Sequence, residues 1–311
     1  MNIVFFGSDN FAVMPLQVLA KNGYGISCVV TQPDRKKGRR LSLSETAVKQ
    51  AASELNLRIF QPEDVNSAAT QEFLESLKAG LFVIVAYGQI LTQRILDIPE
   101  AFCINLHASL LPKYRGAAPI NWALIRGEQV TGVTVIKVER KMDAGPIILQ
   151  RQLPIAQQDS ALTLERKLSE AGSGVLLEAL ALIEAGSLKL TPQDHLHASF
   201  APKLRKDDGR IDWHKSAAEI CNLIRGAAGW PTAFTYYHGK MLKIIAAAAV
   251  AGQEAKPEPG RIAGVSADGI AVGSGAGALV VKELQMEGGR RMNAADFVLG
   301  HKISCGEMLG Q

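Results

Sequence analysis

Apolar and polar positions alternate in blocks along the first two thirds of the chain. Ile3-Val4-Phe5-Phe6 is a short apolar run ended by Gly7 and predicts a buried strand. From Phe11 to Lys21 apolar residues recur at helical spacing, and Asn22-Gly23 supplies a stop signal. Ile26 to Val30 predicts the next strand. Ser44 to Leu55 is amphipathic, with Ser44 as its N-cap, and Gln71 to Lys78 predicts a further helix. Leu81 to Val85 is continuously apolar, as in a strand covered on both faces. Ile98, Ala101, Phe102, Cys103 and Ile104 suit a buried strand, and Val133 to Val138 is rich in β-branched residues. Leu162 to Ala185 has a long helical pattern, with an interruption expected at Gly172-Ser173-Gly174. This alternation predicts an α/β fold: a Rossmann-like, mostly parallel sheet with helices on both faces.

The last third has a different texture. After a helix expected over Ser216 to Ala228 come short strand-like pieces at 233–237, 241–250, 260–265, 270–272 and 279–281, then a helix over Asn293 to Leu299. Closely spaced short strands predict a smaller OB-like β-barrel. Between the two regions, 187–208 loses periodicity and mixes Pro192 and Pro202 with polar residues. The expected organisation is therefore a domain over 1–189, a linker over 190–206 and a second domain over 207–311.

Composition narrows the class. No apolar run is long enough to span a bilayer, and the first residues lack the basic and long apolar segments of a signal peptide, so a cytoplasmic, membrane-free protein is expected. Cys28, Cys103, Cys221 and Cys305 are scattered, which predicts neither a disulfide framework nor a zinc site. His195 and His197 lack a suitably spaced third ligand, so no metal is expected. The net charge of +4 is too small to announce a nucleic-acid binder. Local clustering changes that picture, because Arg35, Lys36, Lys37, Arg39 and Arg40 fall within six residues. Such a run is either a solvated loop or a phosphate-binding one.

The candidate chemistry lies in the segment Ile104-Asn105-Leu106-His107-Ala108-Ser109-Leu110-Leu111-Pro112-Lys113-Tyr114-Arg115-Gly116-Ala117-Ala118-Pro119. Residues i and i+2 of a strand point the same way, so Asn105 and His107 aim at one spot. An amide N–H and an imidazole N–H converging on a point suit a developing oxyanion. They stand at the carboxyl end of a strand and precede an irregular loop, where open α/β sheets place their sites. Asp143, in Met142-Asp143-Ala144-Gly145, either caps a turn with Gly145 or brings a carboxylate to His107 for proton traffic. A nicotinamide or flavin site is disfavoured: Gly7-Ser8-Asp9-Asn10 lacks the later glycines that a pyrophosphate needs.

These segments resemble the folate-dependent formyltransferases, and the tRNA-acting branch in particular. The resemblance runs from Val4-Phe5-Phe6-Gly7-Ser8 through Gln32-Pro33-Asp34-Arg35, Val85-Ala86-Tyr87-Gly88-Gln89 and Gly116-Ala117-Ala118-Pro119-Ile120 to Arg210-Ile211-Asp212-Trp213. It implies transfer of a formyl group from 10-formyltetrahydrofolate to the α-amine of methionine on initiator methionyl-tRNA, by a monomer. Asn105, His107 and Asp143 would be the catalytic set. Ser109, Leu110, Leu111 and Pro112 would lie against the folate. Tyr87, Ile90 and Leu91 would either join them or be plain core. The resemblance makes the basic run of Arg35, Lys36, Lys37, Arg39 and Arg40 a tRNA-binding loop, and the C-terminal barrel a second tRNA-binding element. Two other readings stay open at this point: a superfamily enzyme acting on an amino sugar, a ribonucleotide amine or water, and a non-catalytic RNA-binding module.

Overall fold

The computed structural model describes residues 1–37, 42–250, 258–301 and 303–310. The chain divides into two compact units. One comprises Met1–Pro119, Val130–Pro154 and Glu165–Pro202; the other comprises Ile120–Gln129, Ile155–Leu164 and Lys203–Gln311.

The first unit is built on β1 (Asn2–Gly7), α1 (Val13–Lys21), β2 (Gly25–Val30), a short hairpin of β3 (Arg35–Lys37) and β4 (Ser42–Ser44), α2 (Ala47–Glu54), β5 (Ile59–Phe60), α3 (Ala68–Ser76), β6 (Leu81–Val85), α4 (Gln93–Leu96) and β7 (Phe102–His107). After α5 (Pro119–Ile125), which from Ile120 onward belongs to the second unit, come β8 (Val130–Lys137), β9 (Ile147–Pro154) and α6 (Ala161–Glu184), whose residues from Glu165 onward belong to the first. The strands form one seven-stranded sheet in the order β5-β2-β1-β6-β7-β8-β9. Pairing is parallel from β5 through β7 and antiparallel for β8 and β9. The mostly parallel sheet is thus as expected, with an antiparallel edge.

Strand alternation sets both faces. Val4, Phe6, Phe82 and Cys103 pack in one core with Leu74 of α3 and Ile95 and Leu96 of α4. Leu106 points to the opposite face, against α6. A Cβ on Gly172 would come within 2.9 Å of Leu106 Cδ2, so the glycine allows close helix–strand approach. α6 runs unbroken for 24 residues through the interruption expected at Gly172-Ser173-Gly174. The helix expected to be capped by Ser44 begins later. Its N-cap is Thr46, whose side chain accepts from the Lys49 amide, because Ser44 is engaged in the β3–β4 ladder.

Residues 190–202, expected to begin a linker, instead run beside the loop after β7. Tyr114 N–H donates to Ser199 Oγ, Arg115 N–H to Ser199 O, and Ala201 N–H to Arg115 O. Gly116, at φ 117°, has the Ala201 carbonyl oxygen 2.8 Å from where a Cβ would sit. Backbone pairing of this kind satisfies polar groups that a linker would leave to water.

The second unit carries α7 (Ala217–Gly226), β10 (Phe234–Tyr237), β11 (Lys240–Val250), β12 (Ile262–Ser266), β13 (Gly269–Gly273), β14 (Ala278–Met286), β15 (Met292–Asn293) and α8 (Ala294–His301). Its antiparallel sheet has the order β10-β11-β14-β13-β12, with β15 on β14. The C-terminal segment bridges the sheet's two ends. Gly310 N–H donates to Tyr236 O beside β10, while Ile262 and Glu307 pair at β12. This is the small β-structure expected for the last third. Ser216 caps α7 in a reciprocal capping box with Glu219. Ile220 and Ile224 of α7, Trp213, Leu242, Val272 and Phe297 share one core. Among the described residues, no helix is long and apolar enough to cross a membrane.

Candidate active site

The parallel sheet delivers Asn105 and His107 together. Both lie at the end of β7, on the same face as Cys103. Asn105 Nδ2 donates to Asp143 Oδ1 at 3.4 Å, and His107 Nδ1 stands 3.7 Å from the same oxygen. The side chains of His107 and Asp143 are only 7 % and 12 % exposed. The other carboxylate oxygen, Oδ2, accepts from the Gly116 amide at 2.8 Å. The carboxylate is therefore directed at the end of β7 and at the loop that follows it.

The histidine's two nitrogens have different duties. Nε2 lies 2.9 Å from the Tyr114 carbonyl oxygen, which only accepts, so Nε2 carries the proton of the neutral ring. Nδ1 faces Asp143 and is left for acid–base work.

The Asp143 loop needs unusual backbone. Asp143 itself has φ 50°, in the left-handed region that few non-glycine residues adopt. At Gly145 a Cβ would lie 1.9 Å from the Lys137 carbonyl oxygen. Gly145→Ala should therefore cost about 1–3 kcal/mol by overpacking and shift the loop that carries the carboxylate. Denaturant unfolding, with activity assayed at a temperature where the variant is folded, checks this.

Residues that carry no signal in the sequence complete the support. Gln193 Nε2 donates to the carbonyl oxygens of Asp143 at 2.8 Å and Gly145 at 2.7 Å. Arg115, 2 % exposed, donates through Nε and Nη2 to Gln193 Oε1 at 3.2 and 2.6 Å, and Nη2 is 2.8 Å from His195 Nδ1. Burial lowers the guanidinium's pKa and the Asp143 charge opposes that fall. Thr134 Oγ1 donates to Ser109 O, and Gln150 Nε2 donates to Leu111 O and to Thr134 Oγ1. Thr134 alone was open to prediction, since it is the β8 residue paired with His107.

The expected folate-contact residues separate into two groups. Ser109 is buried and donates through Oγ to Lys113 O; Leu111 is buried, and Leu110 and Pro112 are half-buried beside them. These four form the loop directly after His107. Tyr87 turns its ring inward. It is 2 % exposed and packs edge-on to Phe6 in the sheet core, and burial pushes its hydroxyl pKa up. Its size and apolar ring win it a core position, one of the two places the sequence left open for it. Leu91 packs against the same core, whereas Ile90 is 69 % exposed.

The basic loop starts from a fixed base. Asp34 accepts from Lys49 Nζ at 2.5 Å and from Gln61 Nε2 at 2.8 Å, and these bonds hold its carboxyl below the usual range. Beyond it, Arg35 is exposed, its Nη2 3.9 Å from Glu63. Lys36 and Lys37 pair by backbone with Leu43 and Ser42. Arg39 and Arg40 lie outside the described residues. No group of described residues could hold a metal ion.

An amide and an imidazole at a strand end, with a loop carboxylate against them, make an arrangement that suits a group-transfer enzyme. The formyl transferase family pattern matches residues 1–180, and the pattern of the formyl transferase C-terminal domain matches residues 203–302. The chain belongs to this family. It is 43 % identical over 310 residues to the methionyl-tRNA formyltransferase of Syntrophus aciditrophicus (strain SB), covering 100 % of this chain and 99 % of the relative. It is 42 % identical over 311 residues to the methionyl-tRNA formyltransferase of Acetivibrio thermocellus, covering 100 % of each. Among solved structures, the N-formyltransferase from Helicobacter canadensis in complex with folinic acid and dTDP-3-aminofucose has the same fold. The TM-score is 0.70 at 18 % identity, over 90 % of this chain and 98 % of that one.

Proposed function

We propose that this protein transfers the formyl group of 10-formyltetrahydrofolate to the α-amine of methionine on initiator methionyl-tRNA. The convergence of Asn105, His107 and Asp143 carries the chemical part of this reading. The full-length similarity to methionyl-tRNA formyltransferases supports the choice of acceptor.

The donor set suits an amide-like carbonyl. Asn105 Nδ2–H donates to the formyl oxygen as it gains negative charge. His107 Nδ1 takes a proton from the attacking amine and returns it to the departing nitrogen of the folate. A new C–N bond forms to the methionine nitrogen and the C–N bond to the folate breaks, so protons and bonds balance. Asp143 orients the ring and stabilises the imidazolium while it holds the extra proton. The Ser109 to Pro112 loop lies against the folate, with Ile90 and Leu91 beside it. Residues 1–189, with 190–202 paired beside the loop after β7, act as the catalytic domain, residues 203–206 lead from it, and residues 207–311 act as a tRNA-binding domain. The enzyme works as a cytoplasmic monomer without a metal.

The assay is direct: 10-formyltetrahydrofolate is mixed with methionyl-tRNA, with a nucleotide-linked amino sugar, or with RNA lacking an amino acid. Formyl transfer to methionyl-tRNA alone is expected; transfer to the sugar instead would overturn the reading. The loop of Arg35, Lys36, Lys37, Arg39 and Arg40 meets tRNA phosphate. Replacing Arg35 and Lys37 by glutamate should raise the KM for tRNA and reduce the slope of log affinity against log salt by about 1 for each phosphate no longer neutralised. An unchanged salt slope would remove the loop from the interface.

A further inference from the structure

We propose that Gln193 is a positioning residue that aims the Asp143 carboxylate. Its amide sits between two fixed partners with opposite needs. On one side Arg115 offers N–H groups to Oε1 at 3.2 and 2.6 Å; on the other, the Asp143 and Gly145 carbonyls accept from Nε2 at 2.8 and 2.7 Å. Only one orientation of the amide satisfies both sides, because its oxygen only accepts and its nitrogen only donates. The two carbonyls bracket Ala144, so Nε2 pins the backbone on both sides of the turn. That turn holds Asp143 at φ 50°. Left-handed backbone at a non-glycine residue persists only where its surroundings enforce it.

The arrangement would be costly as mere packing. Arg115 is almost wholly buried, and its described hydrogen-bond partners are a neutral amide and an imidazole. A buried cation whose described contacts include no carboxylate is a poor way to stabilise a fold. It is a good way to fix an amide that must not flip. Gln193 therefore acts through Asp143: with the clamp gone, the turn relaxes and the carboxylate leaves both the Gly116 amide and His107. The positioning claim rests on the proposed formyl transfer only for its kinetic consequence.

Two readouts on the full-length protein test it. The Gly116 amide donates to Asp143 Oδ2, so its hydrogen exchange reports where the carboxylate is, whatever the activity. Gln193→Leu removes both sets of bonds. Gln193→Glu keeps the size and the acceptor for Arg115 but removes the donor, and serves if the leucine variant does not fold. In either folded variant, Gly116 exchange should accelerate about tenfold or more, toward its rate in Asp143→Ala. Unchanged Gly116 exchange in a folded Gln193 variant overturns the proposal.

For the kinetic arm, Gln193→Glu should lower kcat about tenfold, with the KM for methionyl-tRNA little altered. The same change on an Asp143→Asn background should be nearly silent. Equal losses on both backgrounds would mean that Gln193 acts independently of Asp143, and would sink the idea. If the wild-type protein transfers no formyl group to methionyl-tRNA, the functional reading fails, and the Gly116 amide still decides the role of Gln193.

Discussion

His107→Gln is expected to lower kcat by about 10²–10⁴-fold, the range for losing a positioned acid–base group. Glutamine is the informative substitution because His107 is buried and its Nε2 donates to the Tyr114 carbonyl. Alanine would remove that donated bond and leave a cavity beside the strand, mixing a stability loss with a catalytic one. Glutamine can still donate to Tyr114 O, but its amide cannot take and return a proton at the position of Nδ1. The signature is therefore a large fall in kcat, a KM for methionyl-tRNA close to that of the wild type, and a melting temperature within a few degrees. Retention of most of the activity would take the proton transfer away from His107.

Asn105→Ala is expected to reduce kcat by about 10²–10³-fold, the usual cost of one oxyanion donor. The side chain is half-buried at the end of β7 and bonds to Asp143 at 3.4 Å, a long hydrogen bond that is readily exchanged for a stronger one. Its N–H is thus held near the carboxylate without being spent on it. If Asn105 works on the reacting carbonyl, kcat and kcat/KM fall together, since the bond matters most when charge develops on that oxygen. A rise in the folate KM with kcat preserved would instead make Asn105 a ground-state binding residue. Asn105→Asp should be at least as damaging, because it replaces a donor by an anion facing Asp143.

Much of this site was legible because strand geometry is local. The two-residue repeat puts Asn105 and His107 on one face of β7, and nothing distant in the chain is needed to predict it. Asp143 was ambiguous, since an aspartate before glycine suits a turn equally well. Its direction follows from a backbone amide far away in sequence, at Gly116. Gln193 gave no signal at all. It sits in an aperiodic stretch, and its partners are 78 and 50 residues away, at Arg115 and Asp143. Tyr87 was left open for a related reason: an aromatic after a strand reads the same whether its ring turns toward the core or toward a ligand. Ser44 and Thr46 are both good N-caps, and only the β3–β4 pairing decides between them.

By itself the sequence determined the α/β layering, the shared face of Asn105 and His107, and the small antiparallel unit at the C-terminal end, all of which depend on periodicity and turn chemistry over a few residues. The tertiary structure alone decided which nitrogen of His107 is free, where the Asp143 carboxylate points, and that a buried arginine and glutamine hold it there. Those outcomes depend on hydrogen bonds between distant segments, and such bonds leave no periodic trace in the chain.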